Sequence, residues 1–293
     1  MLYRGVGRAS TVLDGVRPWL RRGRPAPEGQ GRDRTGLLVS SATKLPILWR
    51  DETVIYARYD SVAHSFWRAQ ELSLIRLHAD RLAEPRMDFG AGDGSFASVL
   101  FEKVAIGVDT DPEALAIAKA WGVYERLLQS RTTSIPLGDG EAGSIFTNSV
   151  LEHIGALDDV LAELARVLRP KGMLALTVPL RRFAEHLTFY FGKTASDRVN
   201  EESSHHNLLH ESEWLARLET HGLRPVVVRQ YQPDWFTFWY RMLRLLGPRG
   251  LGRIPGAQEL FWRQRGRRLV EMVRTSITST TLGANLFVLA ERA

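Results

Sequence analysis

Polar and apolar residues alternate with two different periods along the middle of the chain. Short apolar runs predict strands, and apolar residues spaced three and four apart predict helices. The predicted strands are residues 86–89, 104–108, 144–150 and 173–178. The predicted helices are residues 61–82, 95–101, 112–121 and 157–168. Strands that alternate with helices indicate a parallel sheet covered on both faces, with ligands bound at the carboxyl ends of the strands.

A glycine-rich turn follows the first predicted strand. Gly90, Gly92 and Gly94 let the backbone turn sharply and approach a ligand, and the helix predicted next would offer free N–H groups at its N-terminus. A pocket of the nucleotide-binding type is therefore expected here.

The acidic residues of this region indicate which ligand the pocket takes. The spacing G-x-G-x-G differs from the G-x-G-x-x-G of dinucleotide sites, and Asp88 and Asp93 would repel a pyrophosphate by about 1 kcal/mol per charge pair even in water. A ligand with an ammonium and a sulfonium would be attracted instead, which favours S-adenosylmethionine. Asp109, at the end of the second strand, is expected to bind the ribose hydroxyls.

Four linked motifs carry a family resemblance. They are DFGAGDG, GVDTDPEALAIAKA, SIPLGDGEAGSIFTNSVLEHI and LAELARVLRPKGMLALTVP. In order and spacing they resemble the class I S-adenosylmethionine-dependent methyltransferases of the small-molecule "type 11" group, over residues 86–180. The resemblance implies an α/β, Rossmann-like, doubly wound sheet of seven strands with the last one antiparallel, and residues 226–230 and 285–290 would supply the last two strands.

The resemblance also implies a set of residues that contact S-adenosyl-L-methionine. They are Asp88, Gly90, Ala91, Gly92, Asp109, Thr110 and Asn148, with Asp111 as a further neighbour. Two positions depart from the family pattern. No acid lies at residues 131–134, where the family often holds the adenine amino group, and Gly143 replaces a frequent acid at the start of the fourth strand.

Histidines supply the candidate catalytic groups. Asn148, Ser149, Glu152 and His153 follow the fourth strand and are expected to face the methyl group. Methyl transfer to an alcohol needs a proton acceptor, for which a histidine is suited. His153 is the first candidate, and the alternative is that it only caps or packs the turn.

A second histidine cluster lies in residues 181–210, which are expected to form a helical lid over the acceptor. His206 and His210 are expected to contact the acceptor. A metal site built on His205, His206 and His210 is the other interpretation, but the segment lacks a spacing such as H-E-x-x-H, and we expect no metal.

The charge of the chain is unevenly distributed. The net charge is +6 over 293 residues, and arginines concentrate in residues 1–36 and 235–275. We expect residues 1–40 to be a mobile basic tail, 41–85 a helical segment and 86–293 the methyltransferase domain. Residues 234–277 combine aromatic residues with arginines, which fits an intramolecular cover, a membrane or lipid-linked substrate contact, or a dimer contact. The oligomeric state stays open.

The composition narrows the range of functions. Cysteine is absent, so thiolate metal sites and cysteine nucleophiles are excluded, and no apolar run is long enough for a membrane span. We expect a cytoplasmic enzyme, peripheral at the membrane if residues 234–277 bind lipid, that methylates a small-molecule acceptor without binding nucleic acid. The acceptor group would be a hydroxyl of a glycan, a lipid-linked or phosphorylated sugar, or a secondary metabolite. The alternatives are an RNA ribose methyltransferase and a non-catalytic protein that binds S-adenosylmethionine.

Overall fold

A computed structural model describes residues 62–244, 254 and 282–293. The strands are β1 Arg86–Phe89, β2 Val104–Asp109, β3 Tyr124–Gln129, β4 Ala142–Asn148, β5 Leu168–Pro179, β6 Leu223–Tyr231 and β7 Asn285–Arg292. The α-helices are α1 Val62–Arg76, α2 Ala97–Leu100, α3 Pro112–Trp121, α4 Leu157–Val167, α5 Arg181–Phe191, α6 Lys193–Glu202, α7 Glu211–Thr220 and α8 Asp234–Leu243. Short 3-10 helices span Ala79–Arg81 and Leu151–His153.

The strands form one seven-stranded sheet in the order β3-β2-β1-β4-β5-β7-β6. Strands β1 to β5 pair in parallel, and β7 pairs antiparallel with both β5 and β6. The order reverses between β1 and β4, so a crevice opens beyond their carboxyl ends. The predicted Rossmann-like sheet with an antiparallel last strand is confirmed.

Both faces of the sheet are buried beneath helices. On one face, Phe146 of β4 lies in a core with Phe66 of α1 and Phe236 of α8, whose rings stack 4.3 Å apart. On the other face, Ile145 packs in a core with Leu164 of α4. Since successive strand residues point to opposite faces, this near-continuous apolar pattern is what a doubly covered parallel sheet requires.

The sequence pattern missed β3 and overestimated α2. Strand β3 is an edge strand with partly exposed residues, so its sequence, YERLLQ, lacks a buried apolar run. Helix α2 was predicted over 95–101 but spans only four residues, because Phe101 is already extended. A helix this short adds little to ligand binding through its N-terminus, which corrects the expectation that its free N–H groups help to form the pocket.

Parts of the predicted organisation lie outside the described residues. These are the tail 1–40, the beginning of the 41–85 segment, and most of the 234–277 insertion beyond α8. Among the helices that the structure describes, none has the length and apolar character needed to cross a bilayer.

Candidate functional site

The glycine turn follows β1 at the carboxyl edge of the sheet and leads into α2. The N–H groups of Gly90 and Ala91 both donate to the carbonyl of Val108, at 2.8 and 2.9 Å. Gly90 has φ +80°, and a Cβ there would lie 2.4 Å from Val150 Cγ2. Gly92 has φ +53°, and a Cβ there would meet no atom of the described residues within 4 Å. The turn is therefore packed at Gly90 and open at Gly92, where a ligand can approach the backbone.

Asp109 ends β2 and holds this turn in place. Its Oδ2 accepts the N–H of Gly92 at 2.7 Å, and its Oδ1 accepts the N–H of Asp111 at 2.9 Å. A carboxylate oxygen has two lone pairs, so each oxygen keeps one acceptor site for a hydroxyl. Thr110 follows in the same loop, and its carbonyl accepts Gln129 Nε2 at 3.3 Å.

Asp88 is a buried acid at the bottom of the turn. The hydroxyl of Tyr124 donates to its Oδ2 at 2.6 Å. Burial raises the pKa of Asp88 from 3.8 to about 7, the Tyr124 hydrogen bond opposes this shift, and the nearby Asp109 carboxylate adds to it. A cationic ligand would favour the ionised form of this carboxyl.

We predict that Asp88→Asn removes a pH dependence of stability. A carboxyl whose native pKa lies above its unfolded value holds its proton more tightly when folded, so the native state loses stability as pH rises from about 4 to about 7. The loss amounts to at most about 4 kcal/mol, at 1.36 kcal/mol per pKa unit. In urea unfolding without ligand, the free energy of unfolding of Asp88→Asn should equal that of the wild type near pH 4 and be larger at pH 8. If the two proteins differ in this free energy by the same amount at both pH values, the burial effect is contradicted.

A fully buried carboxylate, Glu71 of α1, connects three parts of the fold near the site. Its oxygens accept five hydrogen bonds, from Trp67 Nε1 (2.7 Å), Arg68 Nη1 (2.7 Å), Asn148 Nδ2 (3.1 Å), Ser149 Oγ (2.7 Å) and Tyr231 Oη (3.2 Å). The carboxylate thus joins α1 to the ends of β4 and β6. Its negative charge is matched by the Arg68 guanidinium at 2.7 Å.

The same network fixes the loop after β4. Asn148 Oδ1 accepts the Thr177 hydroxyl at 2.8 Å, and the N–H of Ser149 lies 3.0 Å from the Thr177 carbonyl. Ser149 has φ +51°, a left-handed conformation that costs a non-glycine residue about 1–2 kcal/mol. Its hydrogen bond to Glu71 helps to hold that conformation. Asn148 therefore lies at the carboxyl edge, as predicted, with both ends of its amide group engaged.

We predict that Glu71→Ala lowers the free energy of unfolding by about 3 kcal/mol, because it removes a buried carboxylate that accepts five hydrogen bonds, one of them from the charged Arg68. Glu71→Gln should lose less, since its amide oxygen still accepts hydrogen bonds. Urea unfolding followed by far-UV circular dichroism measures both. A Glu71→Ala variant within about 0.5 kcal/mol of the wild type, the usual range for surface substitutions, would contradict the role of the network.

A second cluster, Glu152, His153 and His205, lies where the 3-10 helix after β4 meets the loop after α6. His153 Nδ1 lies 3.3 Å from the Ser204 carbonyl, and His153 Nε2 lies 3.6 Å from Glu152 Oε1. The rings of His153 and His205 stack with centroids 5.4 Å apart. One acid and two imidazoles, from segments about 50 residues apart, therefore meet at one point.

Burial keeps this cluster close to neutral. It raises the pKa of Glu152 from 4.5 to about 8, lowers the pKa of His153, and lowers the pKa of His205 from 6.5 to about 3. A neutral imidazole has a free lone pair, so each ring can bind a metal ion, and the His153 ring can also act as a proton acceptor.

The structure separates the other two predicted histidines from this cluster. His206 is exposed, and its backbone N–H donates to the Glu152 carbonyl at 2.7 Å. His210 is the exposed N-cap of α7, and its backbone N–H donates to Glu213 Oε2 at 2.7 Å. His210 lines a cleft of about 330 Å³ with Arg182 and Gln230. It is His205, rather than His206 or His210, whose ring stacks on His153.

One of the two departures from the family pattern, Gly143, has a structural reason, and the structure also gives the role of Asp111. A Cβ at residue 143 would lie 2.2 Å from the Glu84 carbonyl oxygen, so no acid fits at Gly143. Asp111 is the N-cap of α3, and its Oδ1 accepts the N–H groups of Glu113 and Ala114. The Asp111 carboxylate therefore caps the N-terminus of α3.

Several residues of the site could not be found from sequence motifs. Glu71, Tyr231 and Tyr124 lie on α1, β6 and β3, outside the four motifs, and no local pattern distinguishes them from ordinary core residues. The sequence analysis favours His206 as a contact of the acceptor, whereas in the structure the ring of its neighbour His205 stacks on His153. The spacing of two adjacent histidines could not tell which ring turns inward.

Comparison with known proteins fits this geometry. Residues 87–176 match the family model of a methyltransferase domain. These residues span β1 to β5, and so include the glycine turn, Asp109 and His153. Residues 87–176 are thus similar to a methyltransferase domain, and the seven-stranded sheet has the strand arrangement of the class I methyltransferase fold.

Two curated proteins are similar to part of this chain. An uncharacterised methyltransferase of Mycobacterium sp. (strain KMS) is 32% identical over 127 residues, covering 41% of this chain and 50% of the relative. A malonyl-[acyl-carrier protein] O-methyltransferase of Enterobacter lignolyticus is 28% identical over 112 residues, covering 38% of this chain and 44% of that protein. The chain thus spans about half the length of these curated relatives.

A solved structure shares the fold of the methyltransferase domain. It is geranyl diphosphate C-methyltransferase from Streptomyces coelicolor A3(2), solved with Mg²⁺, geranyl diphosphate and S-adenosyl-L-homocysteine. The TM-score is 0.52 at 17% identity, over 76% of this chain and 79% of that one. At this identity the likeness concerns the fold alone.

Proposed function

We propose that this chain is an S-adenosylmethionine-dependent methyltransferase that acts on a hydroxyl of a small-molecule acceptor, such as a glycan, a lipid-linked sugar or a secondary metabolite. The proposal rests on the hydrogen bond that the N–H of Gly92 donates to Asp109 Oδ2. This bond places a carboxylate with free acceptor sites beside an open backbone turn.

The pocket suits the charge and shape of S-adenosylmethionine. Asp88 is buried without a cationic partner among the described residues, and a positively charged ligand would stabilise its ionised form. The open space at Gly92 lets the ligand approach, and Asp109 would accept from both ribose hydroxyls. When bound, this cofactor supplies a methyl group already activated by the sulfonium. The S-adenosyl-L-homocysteine found in the Streptomyces enzyme supports the assignment.

His153 is the proposed proton acceptor. The Ser204 carbonyl can only accept a hydrogen bond, so Nδ1 of His153 carries the proton and Nε2 carries a free lone pair. Nε2 would accept the proton that the acceptor hydroxyl loses when it is methylated. The rest of catalysis is alignment of the two reactants.

The lid formed by α5 and α6 offers a place for the acceptor. A cleft of about 500 Å³ runs between these helices, and Asn200 on its wall also contacts His205, whose ring stacks on His153. Phe189 on the same cleft is 80% exposed. We propose that acceptors with an apolar part bind here, which is how a lipid-linked or peripheral membrane substrate would be held. His206, exposed beside the Ser204 loop, would contact the acceptor from its rim.

A labelled methyl-transfer screen tests this function. The full chain is incubated with S-adenosylmethionine carrying an isotopic methyl group and with extracts fractionated into sugars, lipid-linked sugars and metabolites. Mass spectrometry should find a product heavier by one labelled methyl group whose new bond is to oxygen. Cofactor binding without labelling of any fraction would favour the non-catalytic alternative.

A further inference from the structure

The Glu152, His153 and His205 cluster has the composition of a metal site. Each residue presents one ligand atom, and the three atoms lie within 4.8 Å of one another. We propose that Glu152, His153 and His205 form a binding site for a divalent transition-metal ion of the Zn²⁺ type. Two imidazoles and one carboxylate are a ligand set that such ions accept, and the site leaves a fourth position for solvent.

The hydrogen bonds of the two histidines select the tautomer that binds metal. His153 Nδ1 faces the Ser204 carbonyl at 3.3 Å, and His205 Nδ1 faces the Asn200 side-chain oxygen at 3.1 Å. Both oxygens accept hydrogen bonds, so both Nδ1 atoms carry the proton and both Nε2 atoms keep their lone pairs. Metal-binding histidines are oriented in this way by an outer carbonyl or carboxylate.

The third ligand is a carboxyl group with a buried, unused oxygen. Glu152 is 2% exposed, and its Oε2 has no hydrogen-bond partner among the described residues. A buried polar atom without a partner is costly, and a cation that the carboxylate binds through both of its oxygens would remove this cost. The carboxyl group therefore points to a ligand independently of the two histidines.

The distances suit an ion after a small closure. With metal–ligand bonds of about 2.1 Å, tetrahedral ligand atoms lie about 3.4 Å apart. His153 Nε2 and Glu152 Oε1 are 3.6 Å apart, and no pair of ligand atoms exceeds 4.8 Å. Metal binding would require the most distant pair of ligand atoms to approach by at most about 1.4 Å. His205 lies in the loop after α6, outside the sheet.

Binding of the ion would change the role of His153. Nε2 has one lone pair, so a bound ion prevents it from accepting a proton. Metal binding and His153-dependent methyl transfer are then mutually exclusive, and the metal site itself does not depend on the proposed function.

Isothermal titration of the full chain with ZnCl₂, without cofactor or acceptor, tests the site. We expect one ion per chain, with affinity lowered at least about tenfold in Glu152→Gln and in His205→Ala. Asn200→Ala, which keeps all three ligands but frees the His205 ring, should lower affinity by about tenfold. His210→Ala is the matched control, because it removes an exposed histidine outside the cluster, and it should bind like the wild type.

A second metal ion tests the coordination of the site, and circular dichroism tests whether each variant is folded. Co²⁺ added to the wild type should give visible absorption bands typical of four- or five-coordinate sites, and Zn²⁺ should displace them. Circular dichroism confirms that each variant is folded. The proposal is overturned if the wild type binds no stoichiometric Zn²⁺, or if folded Glu152→Gln and His205→Ala variants bind it as tightly as the wild type.

Discussion

Asp109→Ala should reduce the affinity for S-adenosylmethionine by about 10²- to 10⁴-fold. Two hydrogen bonds from the ribose hydroxyls to a charged carboxylate contribute about 1.5–3 kcal/mol each, and a factor of ten corresponds to 1.4 kcal/mol. The substitution also releases the N–H of Gly92 and so loosens the turn. Calorimetric titration of the folded variant measures the loss.

Asp111→Ala provides the control for this substitution. Its carboxylate caps α3 rather than facing the pocket, so it should cost about 1 kcal/mol of stability and leave cofactor affinity within about twofold. If Asp109→Ala binds S-adenosylmethionine as tightly as the wild type, Asp109 does not bind the ribose, whatever the stability of either variant.

His153→Ala should lower turnover by about 10²- to 10⁴-fold, the usual contribution of a general base, without weakening cofactor binding. The reason is geometric: Nδ1 of His153 donates to the Ser204 carbonyl, which leaves the lone pair of the ring on Nε2. The measurement is kcat with the acceptor found in the labelling screen, alongside calorimetry with the cofactor.

Two comparisons separate a proton acceptor from a packing residue. Added imidazole should restore part of the activity of His153→Ala, because a small base can occupy the vacated space. His221→Ala removes a histidine that lies beside Asp158 at the end of α7, and it should keep wild-type turnover. An unchanged kcat in His153→Ala would exclude His153 as the base.

The cofactor half of the fold could be predicted from sequence because its signals are local. Strand β1 and helix α3 have the bounds that the pattern gave, and Asp109 ends β2 as expected. In each case the turn glycines, the apolar run and the capping acid lie within a few residues of one another. Strand β3 had no such signal, since its partly exposed edge position does not require alternating burial.

The acceptor half depends on contacts between distant segments. Glu71 meets Ser149 and Tyr231 across 78 and 160 residues, and His153 meets the Ser204 carbonyl across 51. No spacing rule connects such positions. The sequence could supply the candidates His153 and His206, but only the contacts of the loop after α6 with the loop after β4 show that the ring of His205 meets His153.

The proposed function requires that the glycine turn prefers a cationic methyl donor. Calorimetric titration of the wild-type chain with S-adenosylmethionine, and separately with NAD, measures this preference. One S-adenosylmethionine per chain should bind saturably, and NAD should show no measurable binding. Binding of NAD, or a failure of the folded chain to bind S-adenosylmethionine, would rule out a methyl-donor site at the glycine turn.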